Sequence, residues 1–96
     1  MALTFEWDEE KSKRNFRKHG VIFEEAKTVF NDPFAITIAD PYHSDEEERY
    51  FDIGLSVKER VLVVWYTERQ ENIRIIGCRR ATPSERKTYG AREERF

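Results

Sequence analysis

The amino-acid sequence predicts a single α+β domain, with two helices, then a series of four strands, then a third helix. Its 96 residues are the size of one domain and can bury only a modest core. Seven Phe, four Tyr and two Trp supply large side chains for that core. The strand-like segments follow one another between the helices, which favours an antiparallel meander. The expected order over residues 1–96 is therefore β-α-α-β-β-β-β-α.

The first half of the chain predicts a short strand and two helices. Residues 3–7 are apolar enough for a strand, and Asp8 then provides an N-cap before two glutamates that suit the helix dipole. This first helix carries cations toward its end and stops at Gly20, a residue typical of a left-handed C-cap. A second helix is predicted over residues 23–30, where four apolar side chains share one face, and Pro33 follows its end.

The second half predicts the four strands and the last helix. The strand-like segments are residues 34–39, 49–55, 60–69 and 72–80. The third of them is apolar on both faces at its centre, as in a central strand. Residues 82–85, Thr-Pro-Ser-Glu, combine an N-cap, a proline at the first helical position and a capping-box glutamate. A helix is therefore expected from there to about residue 91.

Composition narrows the class of protein. The single cysteine excludes an intrachain disulfide and fits a reducing cytosol, and with two scattered histidines it gives no zinc-ligand spacing. The apolar segments are too short for a membrane helix, and the N-terminus lacks a signal-peptide pattern. We therefore expect a cytoplasmic protein without a zinc site of this kind and without a membrane helix. Residues 1–48 carry a net charge of −6 and residues 49–96 a net charge of +4, which hints at an anionic ligand.

Arginines are concentrated in the last two predicted strands. Arg69, Arg74, Arg79 and Arg80 lie close together in the sequence and follow Trp65. The planar donor group of arginine suits phosphate or carboxylate, and an aromatic ring can stack on a base. The pattern indicates a surface for an anion such as a nucleic-acid backbone. The alternative is a solvated strand face on which the arginines pair with carboxylates.

The loop between these two strands decides which side chains share a face. If the loop is residues 70–71 alone, Thr67 faces Arg74 and Trp65 faces Ile76. The side chains that then share one face are those of Thr67, Arg69, Arg74 and Arg80.

A longer loop changes the set, because the side-chain period of a strand is two. With one more loop residue, Tyr66 and Glu68 face Arg74 instead. Arg79 and Arg80 point to opposite faces of the sheet unless Gly77 introduces a bulge.

Other chemically active residues have plainer interpretations. His19, just before a glycine, is typical of a helix C-terminus. His43 is more typical of an exposed loop than of a general base, and Asp45–Glu48 of a solvated acidic loop than of a metal site. Glu68 is the best-placed carboxylate for acid–base chemistry, although an arginine partner across the strands explains it equally well. Cys78 is expected in the core.

The chain resembles the BrnT family, the toxin component of BrnT/BrnA type II toxin–antitoxin modules, over about residues 4 to 90. The matching segments, with their order and spacing, include Phe5–Lys11, Asn15, Lys18–Val21, Phe23–Ala26, Val29–Phe30, Asp32–Pro33, Glu48–Arg49, Ile53–Gly54, Thr67–Arg69, Ile73–Ile76, Arg79–Thr82, Glu85–Arg86 and Tyr89.

The resemblance implies a RelE-like fold and a metal-independent ribonuclease, without a cofactor, that inhibits translation. It also implies a BrnA-like ribbon-helix-helix antitoxin, in a heterotetramer of two toxins and two antitoxins, which alone contacts operator DNA. Activity in the family maps to the basic end of the sheet, and His19 matches a further motif position. The positions that this suggests as catalytic are Thr67, Glu68, Arg69, Arg74 and Arg79. Those that it suggests as RNA-binding are His19, Arg49, Trp65, Tyr66 and Arg80.

Two functional hypotheses follow. In the first, Arg69 and Arg74 hold the RNA phosphate with support from Arg79 or the next arginine, and Glu68 or Tyr66 moves protons. In the second, the chain is a non-enzymatic binding module whose arginine face docks an acidic partner protein.

Overall fold

The computed structural model describes residues 3–40 and 48–93, with side chains as far as residue 91. In chain order the elements are β1 (Thr4–Glu6), α1 (Glu9–His19), α2 (Phe23–Ala26), β2 (Ile36–Asp40), β3 (Arg49–Leu55), β4 (Val61–Arg69), β5 (Asn72–Arg80) and α3 (Pro83–Glu93). The α+β class is confirmed. The expectations for His43 and for Asp45 to Glu47 lie outside the described residues.

The second helix is shorter than predicted. Only Phe23–Ala26 is α-helical, and Lys27–Asn31 continues it as a 3-10 helix. Its N-cap, Ile22, has no side chain that could accept a hydrogen bond from the first turn, which weakens helix initiation.

The five strands form one sheet in the order β1-β5-β4-β3-β2. Strands β2 to β5 are antiparallel neighbours, as the meander predicts, but β1 lies parallel to β5 at the edge. The prediction of a purely antiparallel sheet was therefore wrong. No hairpin turn constrains the direction of β1, because α1, α2 and three strands separate it from β5 in the sequence.

The sheet has a core on each face. On the face that we call the α1 face, α1 and α2 cover the larger cluster. Its buried members are Val21, Phe23, Ala26, Val29, Leu62, Val64, Tyr66, Ile73, Ile75 and Cys78. On the opposite face, the α3 face, Tyr89 of α3 packs in a smaller cluster with Ile53, Val63 and Ala81. Among the described residues, α3 covers only part of its face.

Helix α1 has the predicted ends. The Asp8 carboxylate accepts hydrogen bonds from the backbone N–H groups of Glu10 (2.8 Å) and Lys11 (3.3 Å), which hold the pKa of Asp8 below its usual value. Gly20 closes the helix with φ 73°, a left-handed conformation that glycine adopts at little cost.

Asn15 joins α1 to β5 beyond the point where β1 ends. Its amide nitrogen donates to the carbonyl oxygen of Cys78 (2.9 Å), and its amide oxygen accepts from the N–H of Cys78 (3.3 Å). The same nitrogen also donates to the carbonyl of Val21 (2.8 Å). A side chain thus satisfies backbone groups of β5 that a neighbouring strand would otherwise bind.

Helix α3 begins with the predicted capping box. The N–H of Glu85 donates to the Thr82 hydroxyl (3.2 Å), and the N–H of Thr82 donates to the Glu85 carboxylate (2.8 Å). Arg79 of β5 adds a two-pronged ion pair to the same carboxylate, at 2.7 and 3.0 Å. This ion pair, together with the cap, lowers the pKa of Glu85 to about 2. Glu85 therefore ties α3 to the sheet.

Replacing Glu85 by Gln should lower the free energy of unfolding by about 2 kcal/mol at pH 7, the lowered pKa being discounted for partial exposure. The folded carboxyl titrates below its usual value of 4.5, so the stabilisation is complete above that pH and is lost as the pH falls toward about 2. Urea denaturation between pH 7 and pH 2 measures the difference. Glu24→Gln, at an exposed ion pair with Lys27, is the control and should change little. A difference between Glu85→Gln and the parent that does not depend on pH would contradict the assignment.

Candidate nucleic-acid interface

Five polar side chains stand in register across the whole sheet on the α3 face. Each is the direct cross-strand partner of the next, from β2 through β3, β4 and β5 to β1. We call this set the arginine row; its members are Asp40, Arg49, Thr67, Arg74 and Glu6. The loop between β4 and β5 is residues 70–71 alone, so the first of the two predicted registers is correct at this end of the hairpin.

The centre of the arginine row is a threonine whose two cross-strand neighbours are arginines. Thr67 is 2% exposed, and its hydroxyl oxygen has no hydrogen-bond partner among the described residues. Arg49 and Arg74 are its neighbours on either side, and an ion pair joins Arg74 to Glu6 (3.7 Å). A buried hydroxyl without a partner costs about 1–3 kcal/mol, so it marks a position where a further hydrogen-bonding group is expected.

Aromatic rings lie next to the row on the same face. Trp65 and Phe51 are cross-strand neighbours with ring centroids 5.8 Å apart. The guanidinium carbon of Arg79 lies 5.1 Å from the centre of the Trp65 ring, while its nitrogens bind Glu85. Arg79 therefore contacts both Trp65 and α3, and it lies opposite Val63, four residues along β4 from Thr67. Arg69 ends β4 on the face of Thr67, opposite Asn72.

A β-bulge separates Arg80 from the row. Tyr66 pairs with Ile75, but Trp65 pairs with Gly77, so Ile76 is an extra residue in β5. The extra residue reverses the alternation, and Arg80 falls opposite Leu62 on the α1 face. The predictions that Arg80 shares a face with Thr67, and that Trp65 faces Ile76, were wrong for this reason.

Tyr66 and Glu68 also lie on the α1 face, since they alternate with Thr67 along β4. The Tyr66 hydroxyl donates to the carboxylate of Asp52 (2.8 Å), and its ring stacks on Tyr50. Burial raises the pKa of Tyr66 well above its usual value. Glu68 is exposed and pairs with Ile73. The structure does not bring these two predicted proton carriers together with the arginine row.

His19 lies apart from the row, at the end of α1. It is half-buried in an open cleft of about 340 Å³ between α1 and β5, the α1–β5 cleft. The cleft is lined by Lys11, Arg14, Asn15, Lys18, His19 and Ile76.

Sequence reasoning missed three carboxylates. Glu6 joins the row only because β1 is parallel to β5, and Asp40 only because of the register of β2 on β3. Neither pairing has a local signal in the sequence. Asp52 is buried at 5% exposure, accepts hydrogen bonds from Thr37 (2.8 Å) and Tyr66, and has its pKa raised by burial. Alternation along β3 could have placed Asp52 on the face of the larger core.

Cys78 is a core residue, as predicted, and burial raises its pKa to about 12. Within residues 3–40 and 48–93, no three His, Cys, Asp or Glu side chains are grouped as metal ligands. None of the helices in that same part of the chain is long and apolar enough to cross a membrane.

The protein is a small α+β domain with Arg49 and Arg74 on one face of its sheet. Such an arrangement is typical of a protein that binds anions. The chain belongs to the BrnT family: the sequence model described as "Ribonuclease toxin, BrnT, of type II toxin-antitoxin system" matches residues 7–85. It is thus a member of a family of ribonuclease toxins, and a toxin of this type has an antitoxin partner.

A solved structure agrees in fold. The chain is similar to the ribonuclease toxin BrnT of Brucella abortus, whose crystal structure was determined at 1.1 Å resolution, with a TM-score of 0.62 and 21% sequence identity. The match covers 84% of this chain and 99% of the Brucella chain. Among curated proteins, no sequence matches.

Proposed function

We propose that this toxin is a metal-independent endoribonuclease with a RelE-like fold, which cleaves RNA in the cytoplasm and thereby inhibits translation. The observation that carries the proposal is the Thr67 hydroxyl, which has no hydrogen-bond partner in the described part of the chain and belongs to a residue that lies between Arg49 and Arg74 in the sheet. Two guanidinium groups and a hydroxyl offer several hydrogen-bond donors to the oxygens of one phosphate.

The positive charge of the arginine row supports cleavage of a phosphodiester bond. When the 2′-hydroxyl of a ribose attacks the adjacent phosphorus, negative charge builds on the phosphate oxygens until the 5′-oxygen leaves. Arg49 and Arg74 stand where they can stabilise that charge, and Arg69 extends the set at the end of β4. Trp65, half-buried at the side of the row, offers a ring on which a base can stack. The outer carboxylates, Asp40 and Glu6, are the cross-strand neighbours of the two central arginines, and Glu6 forms an ion pair with Arg74.

The antitoxin is proposed to be a BrnA-like ribbon-helix-helix protein, in an assembly of two toxins and two antitoxins. Covering the arginine row is the simplest route to inhibition, because a complementary acidic surface would replace the RNA phosphate there. Operator DNA would then be contacted by the antitoxin alone.

An RNA-cleavage assay with and without EDTA tests the proposal. Purified toxin should cleave single-stranded RNA equally well in both conditions, and added antitoxin should stop cleavage. Intact RNA at every toxin concentration would favour the non-enzymatic docking module. Activity that requires a divalent metal would reject the metal-independent reaction while leaving RNA as the substrate.

A further inference from the structure

The α1–β5 cleft is a strongly cationic surface that the proposed reaction leaves unused. Four of its six lining residues are Lys, Arg or His, and no carboxylate lines it. The whole chain has a net charge of −2, so this local excess is not a general property of the surface. Lys11, Arg14 and Lys18 are all exposed and follow the spacing i, i+3 and i+7, which places them along one side of α1.

The cleft lies beside β5, close in sequence to the arginine row, but α1 covers the α1 face whereas the row lies on the α3 face. An RNA strand that contacts both must pass over the edge of β5. Ile76, on its β5 wall, is two residues beyond Arg74, a distance of about 7 Å along a strand. β1 does not intervene, because its pairing with β5 stops at Arg74.

The helix that carries the cations of the cleft is tied to the sheet. The paired hydrogen bonds of Asn15 to Cys78 fix the middle of α1 against β5. The backbone positions of Arg14 and Lys18, one residue before and three residues after Asn15, are therefore fixed relative to the sheet. A site that is ordered before binding loses less entropy when a ligand arrives.

We propose that the α1–β5 cleft binds the backbone phosphates of the RNA segment next to the cleaved phosphodiester. The inference rests on the proposed ribonuclease function and assigns a second contact region to the same substrate. An RNA strand fits the cleft better than a protein does, because protein interfaces need an apolar centre and the cleft offers only Ile76. The groove on the other side of α1, with the exposed Phe16 and Ile22, has such a centre.

The test compares two double variants of equal charge on the same helix. Arg14→Gln/Lys18→Gln alters the cleft, and Lys13→Gln/Arg17→Gln alters the opposite side, so long-range electrostatic effects are matched. Binding of a short 2′-O-methyl oligoribonucleotide, which lacks the attacking hydroxyl, is measured by fluorescence anisotropy between about 0.05 and 0.5 M salt. The cleft variant should reduce the slope of log K against log salt concentration by about 1.4, and weaken binding about tenfold at about 0.15 M salt. The control variant should leave both nearly unchanged.

Every other pattern of results overturns the inference. Equal losses in both variants would mean that only the net charge of the helix matters. No loss in either would mean that RNA does not enter the cleft, and weakened antitoxin binding with unchanged RNA binding would assign the cleft to the antitoxin. Cleavage of a dinucleoside phosphate, too short to reach the cleft, should be the same in both variants and the parent. If the parent binds RNA but cleaves nothing, the proposed function fails while the binding comparison still decides the role of the cleft.

Discussion

Replacing Arg74 by Gln is expected to lower kcat/KM for RNA cleavage by about 10²–10³-fold, on the scale of losing one preorganised donor to a transition-state oxyanion. Arg74 is next to the Thr67 hydroxyl, and its ion pair with Glu6 is long and partly exposed. The free energy of unfolding should therefore change by only about 0–1 kcal/mol. Initial cleavage rates at low substrate concentration, together with thermal unfolding of the same samples, give both quantities.

The matched control is Arg80→Gln. Arg80 is in the same strand and has the same charge, but the bulge at Ile76 places it on the α1 face. Its loss should change kcat/KM by no more than about threefold, the size expected for a distant charge in salt. If both variants lose activity equally, the arginine row is not the cleavage site. If a folded Arg74→Gln protein keeps full activity, Arg74 does not hold the phosphate.

Replacing Thr67 by Val should raise stability and lower activity. Valine has nearly the shape of threonine, and the hydroxyl that it removes is buried with no partner within residues 3–40 and 48–91. The free energy of unfolding should therefore rise by about 1 kcal/mol. If that hydroxyl binds the substrate phosphate, kcat/KM should fall by about 10–100-fold, as for a lost hydrogen bond to a charged group. Chemical denaturation and cleavage kinetics on one preparation measure the two effects.

Replacing Thr37 by Val should have the opposite effects, namely lower stability and unchanged activity. The Thr37 hydroxyl donates to the buried Asp52 on the α1 face, so its loss should cost about 1–2 kcal/mol of stability and leave cleavage intact. A Thr67→Val protein that is less stable than its parent would show that the hydroxyl already has a partner. One that is more stable and fully active would show that the hydroxyl plays no part in binding RNA.

Features with local causes were predictable from the sequence. Asp8 and Gly20 end α1 as expected, because capping depends on residues within one turn. The same holds for the Thr82–Glu85 capping box and for the loop at residues 70–71, which placed Thr67 opposite Arg74.

Features set by distant parts of the chain were not predictable. The parallel pairing of β1, which brings Glu6 beside Arg74, depends on where α1 packs rather than on any turn. The bulge at Ile76 places Arg80 on the other face of the sheet. In the sequence, Gly77 indicated only that a bulge was possible. Arg49 entered the row through the register of β3 on β4, which no short loop specifies.

Asn15 has a consequence for how this protein behaves at high concentration. An uncovered strand edge is a template on which a second chain can add a strand, and such addition leads to aggregation. At Cys78 the amide of Asn15 occupies both backbone groups, so a helix residue blocks that edge without lengthening β1. The toxin can thus keep β1 to three residues and still protect the neighbouring stretch of β5 from self-association.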